Sequence, residues 1–204
     1  MNADAAGGSL HERLRAATAP LHRATEAAFD ADDRLATMAG YVDLLDRLWS
    51  LHAGVEDALR NHGCSLPGLA LEALRRSPLI ALDIATLAGR PPRLPRAGLA
   101  YASPGAALGG IYVVEGSILG GRVLMRRAER SLGVSATLGC RFLAGDGAAT
   151  GARWRTFLAA LATLPAAGDA ADAAEGGARG TFAAFLACFA EPAHTNLPDG
   201  SRPQ

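Results

Sequence analysis

The stretch Ser103-Pro-Gly-Ala-Ala-Leu-Gly-Gly-Ile-Tyr112-Val-Val-Glu-Gly116-Ser-Ile-Leu-Gly120-Gly121-Arg-Val123 decides how this chain is read. Ser103 is an N-cap residue followed by a proline suited to a first helical turn, and the apolar periodicity continues to Leu132-Gly133, so one long central helix is expected. Gly109, Gly110, Gly116, Gly120 and Gly121 all fall inside it. Each costs about 0.8 to 1 kcal/mol of helix propensity relative to alanine, so something must offset several kcal/mol. Two explanations stand. Gly116 and Gly120, one turn apart, permit a neighbouring helix to cross closely, or they let the backbone itself approach a ligand, because glycine has no Cβ to hold it away. The spacing alone does not choose between them. The 18 residues from Pro104 to Gly121 carry Glu115 as their only charge, which calls for a membrane check. Much of that run is Gly and Ala, and a mid-helix glutamate is expensive in lipid, so a core helix is expected instead.

Upstream, Ser9-Leu-His-Glu12 fits a capping box, and Leu10, Leu14, Ala17, Leu21 and Ala28 recur at helical spacing behind it. Pro20 interrupts this first helix, which must kink there or restart with Thr18 as a cap. Tyr41, Leu44, Leu45, Leu48, His52, Val55 and Leu59 mark a second long amphipathic helix, ended near Asn61-His-Gly63. Leu69 to Arg76 and Pro78 to Ala88 read as two shorter helices, and Arg90-Pro-Pro-Arg-Leu-Pro95 as an extended connector. Downstream, Trp154, Phe157, Leu158 and Leu161 mark a helix stopped by Pro165, and Phe182, Phe185, Leu186 and Phe189 mark the last. Gly168 to Gly180 alternates Ala, Gly and Asp and is expected to be a loose loop. No segment alternates like a strand and none repeats, so the class is all-α, a single-domain multi-helix bundle. Residues 1–8 are expected to be a flexible start, 9–191 the domain and 192–204 a disordered tail.

The 204 residues and their 50% apolar content suit one sizeable core. Twenty acidic and twenty basic residues balance without a block of like charge, which argues against nucleic acid or an anionic membrane as partner. Every basic side chain is arginine, a composition bias rather than a motif. Cys64, Cys140 and Cys188 are odd in number, have no CxxC spacing and are too few for a disulfide framework, so a reducing compartment is expected. The start Met-Asn-Ala-Asp-Ala-Ala-Gly-Gly-Ser lacks the features of an export signal, which makes cytoplasm the default.

Within the first helix, His22 sits at the edge of the leucine stripe. Arg15, seven residues earlier, lies nearly in line with it, about 10 Å along the axis. Glu26, one turn on, is placed to reach the imidazole's other nitrogen. A histidine backed by a carboxylate is how a metal-binding imidazole is oriented. An exposed ion-pair cluster of His22, Arg23 and Glu26 is the competing explanation.

Leu14-Arg-Ala-Ala-Thr-Ala-Pro-Leu-His22-Arg-Ala-Thr-Glu26, taken with Tyr112-Val-Val-Glu-Gly116-Ser-Ile-Leu-Gly120-Gly121-Arg-Val123, resembles the heme oxygenases. The likeness is greatest to the bacterial, biliverdin-producing branch associated with bacteriophytochromes, and it spans roughly Ser9 to Glu191. It implies a helical bundle with His22 as proximal iron ligand and Glu26 as its partner. Gly116, Gly120 and Gly121 would lie over the other heme face. Arg15, and with them Tyr112 and Arg155, would contact the heme and its propionates, and Phe182 and Phe189 would close the pocket wall. Heme would be both cofactor and substrate, cleaved with O2 and electrons from an external reductant, a ferredoxin or an NADPH-dependent reductase, to biliverdin, CO and ferrous iron. The partners implied are heme, an electron-donor protein and a bilin-binding photoreceptor, with a monomer or weak dimer as the working state.

One departure matters. Many relatives carry an aspartate after the first distal glycine to organise water, and here Ser117 stands there. Ser117, with Gly116 and Gly120, is therefore the candidate catalytic set, although serine offers no comparable charge. Two rival functions remain: a heme sensor or carrier that does not degrade its ligand, and a non-heme, thiaminase-like enzyme that would need a thiol facing the pocket. Arg126, Arg127 and Arg130 read as a solvated helix end or as a docking patch for an acidic donor. His52 reads as a core residue, and His11, His62 and His194 as surface groups.

Overall fold

Ser9 and Glu12 form the capping box expected of them: the Ser9 N–H donates to the Glu12 carboxylate at 2.7 Å, and the Glu12 N–H donates back to Ser9 Oγ at 3.3 Å. The helix they open, α1 (Leu10–Phe29), runs through Pro20 without interruption in the computed structural model, which describes residues 8–29, 31–61 and 74–190. Thr18 caps nothing. It is buried, and its hydroxyl donates to the Leu14 carbonyl at 2.7 Å, one turn back in the same helix.

A one-turn helix α2 (Ala31–Arg34) leads to α3 (Met38–Arg60), capped by Thr37, whose side chain accepts from the Gly40 amide. Nearly all of α3 is buried, and its charged groups survive burial by pairing. Arg47, 1% exposed, binds Asp43 at 2.7 Å, and Arg34 reaches the same carboxylate at 3.1 Å. The short helix expected over Leu69–Arg76 falls mostly outside the described residues, as do His62, Cys64 and His194. The next helix, α4 (Ser77–Ala88), starts where Ser77-Pro78 predicts and ends on a left-handed Gly89 at φ 64°. Glu56 of α3 serves as its remote cap, accepting from the Arg76 and Ser77 amides at 2.6 and 2.8 Å.

The central helix α5 (Pro104–Leu132) has the predicted bounds, with Ser103 accepting from the Ala106 amide and Gly133 closing the end at φ 69°. It is long and apolar enough in composition to cross a membrane, yet half of its most apolar window is buried in the bundle. Glu115, its costly charge, is held by Arg153 through two bonds of 2.7 Å. These are the properties of a core helix. Beyond it come a single turn α6 (Arg141–Ala144), a 3-10 turn at Gly147–Ala149, α7 (Thr150–Leu161) and α8 (Asp169–Ala190).

The loose loop expected over Gly168–Gly180 is instead the first half of α8. Small residues there serve packing: Ala171, Ala174 and Ala178 are essentially fully buried against α5, and a Cβ on Gly177 would collide with the Ala106 backbone. α8 therefore packs against both α5 and α1 and forms the spine of the bundle. All the described elements are helical apart from isolated bridges at Ser135.

Candidate functional site

Between α1 and the second half of α5 the helices separate and leave a cavity of about 940 Å³. Most of the exposed wall is apolar and aromatic, and its polar and charged groups come chiefly from α1, a composition suited to a small molecule that is itself apolar with polar ends. α1 contributes Arg15, Thr18, His22, Arg23 and Glu26; α5 contributes Tyr112, Gly116, Ser117, Gly120 and Gly121. Phe182 and Phe185 of α8 stand at the back.

His22 is on the cavity wall and 60% exposed. Its Nδ1 lies 3.5 Å from a Glu26 carboxylate oxygen, and its ring meets the edge of Phe182 with centroids 6.0 Å apart. With Nδ1 turned to the carboxylate, Nε2 is the nitrogen left for a ligand.

The glycines of α5 fall into two kinds. A Cβ built on Gly109 would run into the Ala174 backbone, which is the close helix crossing. A Cβ on Gly120 would meet nothing within 4 Å, and one on Gly116 only the Trp154 ring at 3.7 Å. Gly116 and Gly120 thus face cavity, not helix, and the ambiguity left by their spacing is resolved by what lies opposite. Gly121 is intermediate: it lines the cavity, but its Cβ would press the Leu143 carbonyl at 3.0 Å.

Tyr112 stands beside Gly116 in a ring cluster with His11 and Trp154, centroids about 6.0 Å apart. Burial pushes its phenol pKa up, while a hydrogen bond with Thr18 and the Arg15 charge pull the other way. His11, expected on the surface, is accordingly part of this cluster. Ser117 lines the cavity, but its hydroxyl proton is committed to the Val114 carbonyl at 2.8 Å.

Two expected members are absent from the wall. Arg155 is exposed on the outer face of α7, one residue past Trp154, which does line the cavity; the helical turn between neighbours carries the arginine away. Phe189 is buried behind the cavity, edge-on to Phe29 at 5.5 Å and beneath the Arg34 guanidinium. Phe185 takes its place beside Phe182. Basic groups at the rim are Arg15, Arg23 and Arg127, so Arg127 is more than a solvated helix end.

His52 is the residue whose part in the cavity the sequence concealed. It sits on the hydrophobic stripe of α3 and is 2% exposed, as a core residue should be, yet it lines the cavity and its Nε2 has no hydrogen-bond partner. Burial, with the Arg76 charge adding to it, pushes its pKa down to about 3, so the imidazole is neutral. Neither Cys140 nor Cys188 lines the cavity, and no group of three or more potential metal ligands occurs among the described residues.

Comparison with known proteins converges on one family. The heme oxygenase family profile matches residues 8–191. A heme oxygenase from Xanthomonas campestris pv. campestris (strain 8004) is 36% identical over 159 residues, covering 75% of this chain and 90% of that relative. Among solved structures, the NO- and CO-bound heme oxygenase from Neisseria meningitidis superposes with a TM-score of 0.78 at 26% identity, over 96% of this chain and 99% of that one. Heme oxygenase from Leptospira interrogans shares the fold, with a TM-score of 0.69 at 19% identity over 89% and 98%. A helical bundle opening between a histidine-bearing first helix and a bare glycine face, matched by this profile along nearly its whole described length, places the chain in the heme oxygenase family.

Proposed function

We propose that the chain binds heme in the cavity between α1 and α5 and opens the macrocycle to biliverdin, releasing CO and ferrous iron. The observation that carries this reading is the pairing of an oriented imidazole at His22 with a cavity face at Gly116 and Gly120 from which side chains are missing. A flat macrocycle fits such a cradle, and a Cβ at Gly120 would take up part of the space. The carboxylates of that ligand would find cations in the Arg15, Arg23 and Arg127 side chains that line the cavity.

His22 would hold the iron through Nε2 while Glu26 keeps Nδ1 toward itself, fixing the tautomer. When bound, heme supplies the dioxygen chemistry, with electrons from an external donor. The protein's own share is steering and protection. Phe182, Phe185, Trp154 and Phe142 exclude bulk water, and the glycine face lets peptide backbone approach where a side chain would block. Ser117 and Gly116 are assigned to the oxygen side, where the serine oxygen keeps lone pairs with which to accept from water.

Electrons would come from a ferredoxin or an NADPH-dependent reductase, and a bilin-binding photoreceptor is the inferred receiver of the product, in the cytoplasm. The thiaminase-like alternative lacks the cavity-facing thiol it requires among the described residues.

The test is direct. Purified protein given one equivalent of hemin should show a histidyl heme spectrum, and a reductant in air should replace the Soret band with bile-pigment absorption within a few turnovers. An intact Soret band under those conditions would leave a carrier instead. His22→Ala should abolish the histidyl spectrum, and added imidazole should restore it; an unaltered spectrum would refute the ligand assignment.

A further inference from the structure

The cavity has two ends, and its arginines are divided between them. α1 and α5 run the same way along it: Tyr112 stands with Arg15 and Thr18 at one end, and Arg127 stands with Ala31 at the other. Tyr112 and Arg127 are about 22 Å apart along the helix axis. A rigid macrocycle carries both of its carboxylates on one edge, so it addresses one end at a time. The seating that gives them to Arg15 leaves the far end to serve something else.

At that far end the wall opens into a second hollow, a groove of about 440 Å³ between α2 and the last turns of α5. Ala31 and Arg127 belong to both hollows, so the groove continues the cavity. Arg130, one turn past Arg127, lines the groove and not the cavity. No carboxylate stands on the groove wall among the described residues. Arg13, Arg76, Arg90, Arg141 and Arg153 each hold a carboxylate, whereas the Arg130 guanidinium meets none among the described residues. The Ser131 hydroxyl turns its proton to the carbonyls of Leu35 and Arg127, at 2.8 and 3.0 Å, which covers acceptors that would repel an anion.

We propose that this groove is a carboxylate-binding exit site for the open-chain product: after ring opening, a carboxylate of the linear tetrapyrrole passes from the cavity rim to Arg127 and Arg130. The assignment rests on the reading of the reaction given above. Substrate and product differ in the way such a site requires. The closed ring is rigid and tied to His22 through its iron; the opened chain has lost the metal, flexes about its bridging carbons and keeps both carboxylates. Those carboxylates and its apolar surface are then all that hold it, and a guanidinium meets a carboxylate with two parallel N–H donors. Arg130 is exposed, so its pull is modest and salt-dependent, which suits a site that must release what it receives.

Equilibrium binding of biliverdin to the apo-protein, followed by the bilin absorption, tests the site without turnover. Arg130→Gln should weaken biliverdin binding by about tenfold and leave hemin binding as in wild type. Arg130→Lys, which keeps the charge but not the fork, should recover part of the loss. Added salt should weaken biliverdin binding to wild type more than to Arg130→Gln. Biliverdin dimethyl ester, with no carboxylate to offer, should bind the two proteins alike, which separates carboxylate recognition from apolar contact. Biliverdin bound equally by wild type and Arg130→Gln overturns the proposal, as does an ester that discriminates between them as the diacid does. A loss of hemin affinity equal to the loss for biliverdin would make Arg130 part of the substrate's own seating and also overturn it. A wild-type protein that binds no hemin, or binds it equally well without His22, would instead defeat the heme reading.

Discussion

Gly105 and Gly109 in the first half of α5 are glycines because α8 lies on them; Gly116 and Gly120 in the second half are glycines with no helix opposite. At Gly109 the missing side chain lets α8 come so close that a methyl would enter the Ala174 backbone, and Gly177 returns the same contact from α8 toward Ala106. At Gly116 and Gly120 the same omission opens onto a cavity. One residue type in one helix thus serves packing at one end and binding at the other. The border between the two regimes is Glu115, 3% exposed and tied to Arg153 of α7. The lesson is that a helix glycine is interpreted by what its absent Cβ would have touched, and propensity alone cannot distinguish the cases.

The comparison is broken most severely at the packed end. Gly109→Ala should force α5 and α8 apart, and overpacking of this kind costs about 3 kcal/mol or more when the obstacle is backbone. For a domain of this size that lowers the melting temperature by about 6 to 12 °C, measurable by circular dichroism on the apo-protein. A melting point equal to wild type would show that the crossing is looser than described. Next is the border. Glu115→Ala leaves the Arg153 guanidinium half-stranded, and removing one member of a buried pair costs about 3 kcal/mol at most here, since Asp146 at 3.6 Å still faces Arg153. Hemin affinity should fall with it, because Trp154 adjoins Arg153 and its ring stands over Gly116. Stability lost with affinity retained would mean that the ion pair serves the fold alone.

Much of this architecture is legible in the sequence, and the exceptions have physical causes. Ser9, Ser103 and Gly133 announce helix ends because capping is a local hydrogen-bond problem solved by the residues themselves. His22 and Glu26 are readable for the same reason, being one turn apart. The segment 168–180 misleads because its Ala and Gly content suggests slack, whereas its helicity is dictated by α5, a partner distant in sequence. Phe189 matches the period of Phe182 but is covered by Phe29 at the far end of α1, and Arg155 lies one helical step off the cavity face. His52 is hidden by its good behaviour as a stripe residue. Nothing local announces that the stripe borders a cavity at that point.

The smallest effect is expected where the comparison is sharpest. Gly120→Ala adds a methyl to open space, so the apo-protein should gain about 1 kcal/mol of helix propensity and melt about 2 to 4 °C higher. If that space is where the proposed ligand presses its face, the same methyl should weaken hemin binding by about tenfold, the equivalent of about 1.4 kcal/mol of overpacking. Stability and affinity would then move in opposite directions for one substitution, whereas at Gly109 they should fall together. A Gly120→Ala protein that melts lower than wild type would place a hidden contact opposite that position. One that melts higher and binds hemin as before would mean that the ligand sits away from the glycine face, and the division of α5 into a packing half and a binding half would fail at its binding end.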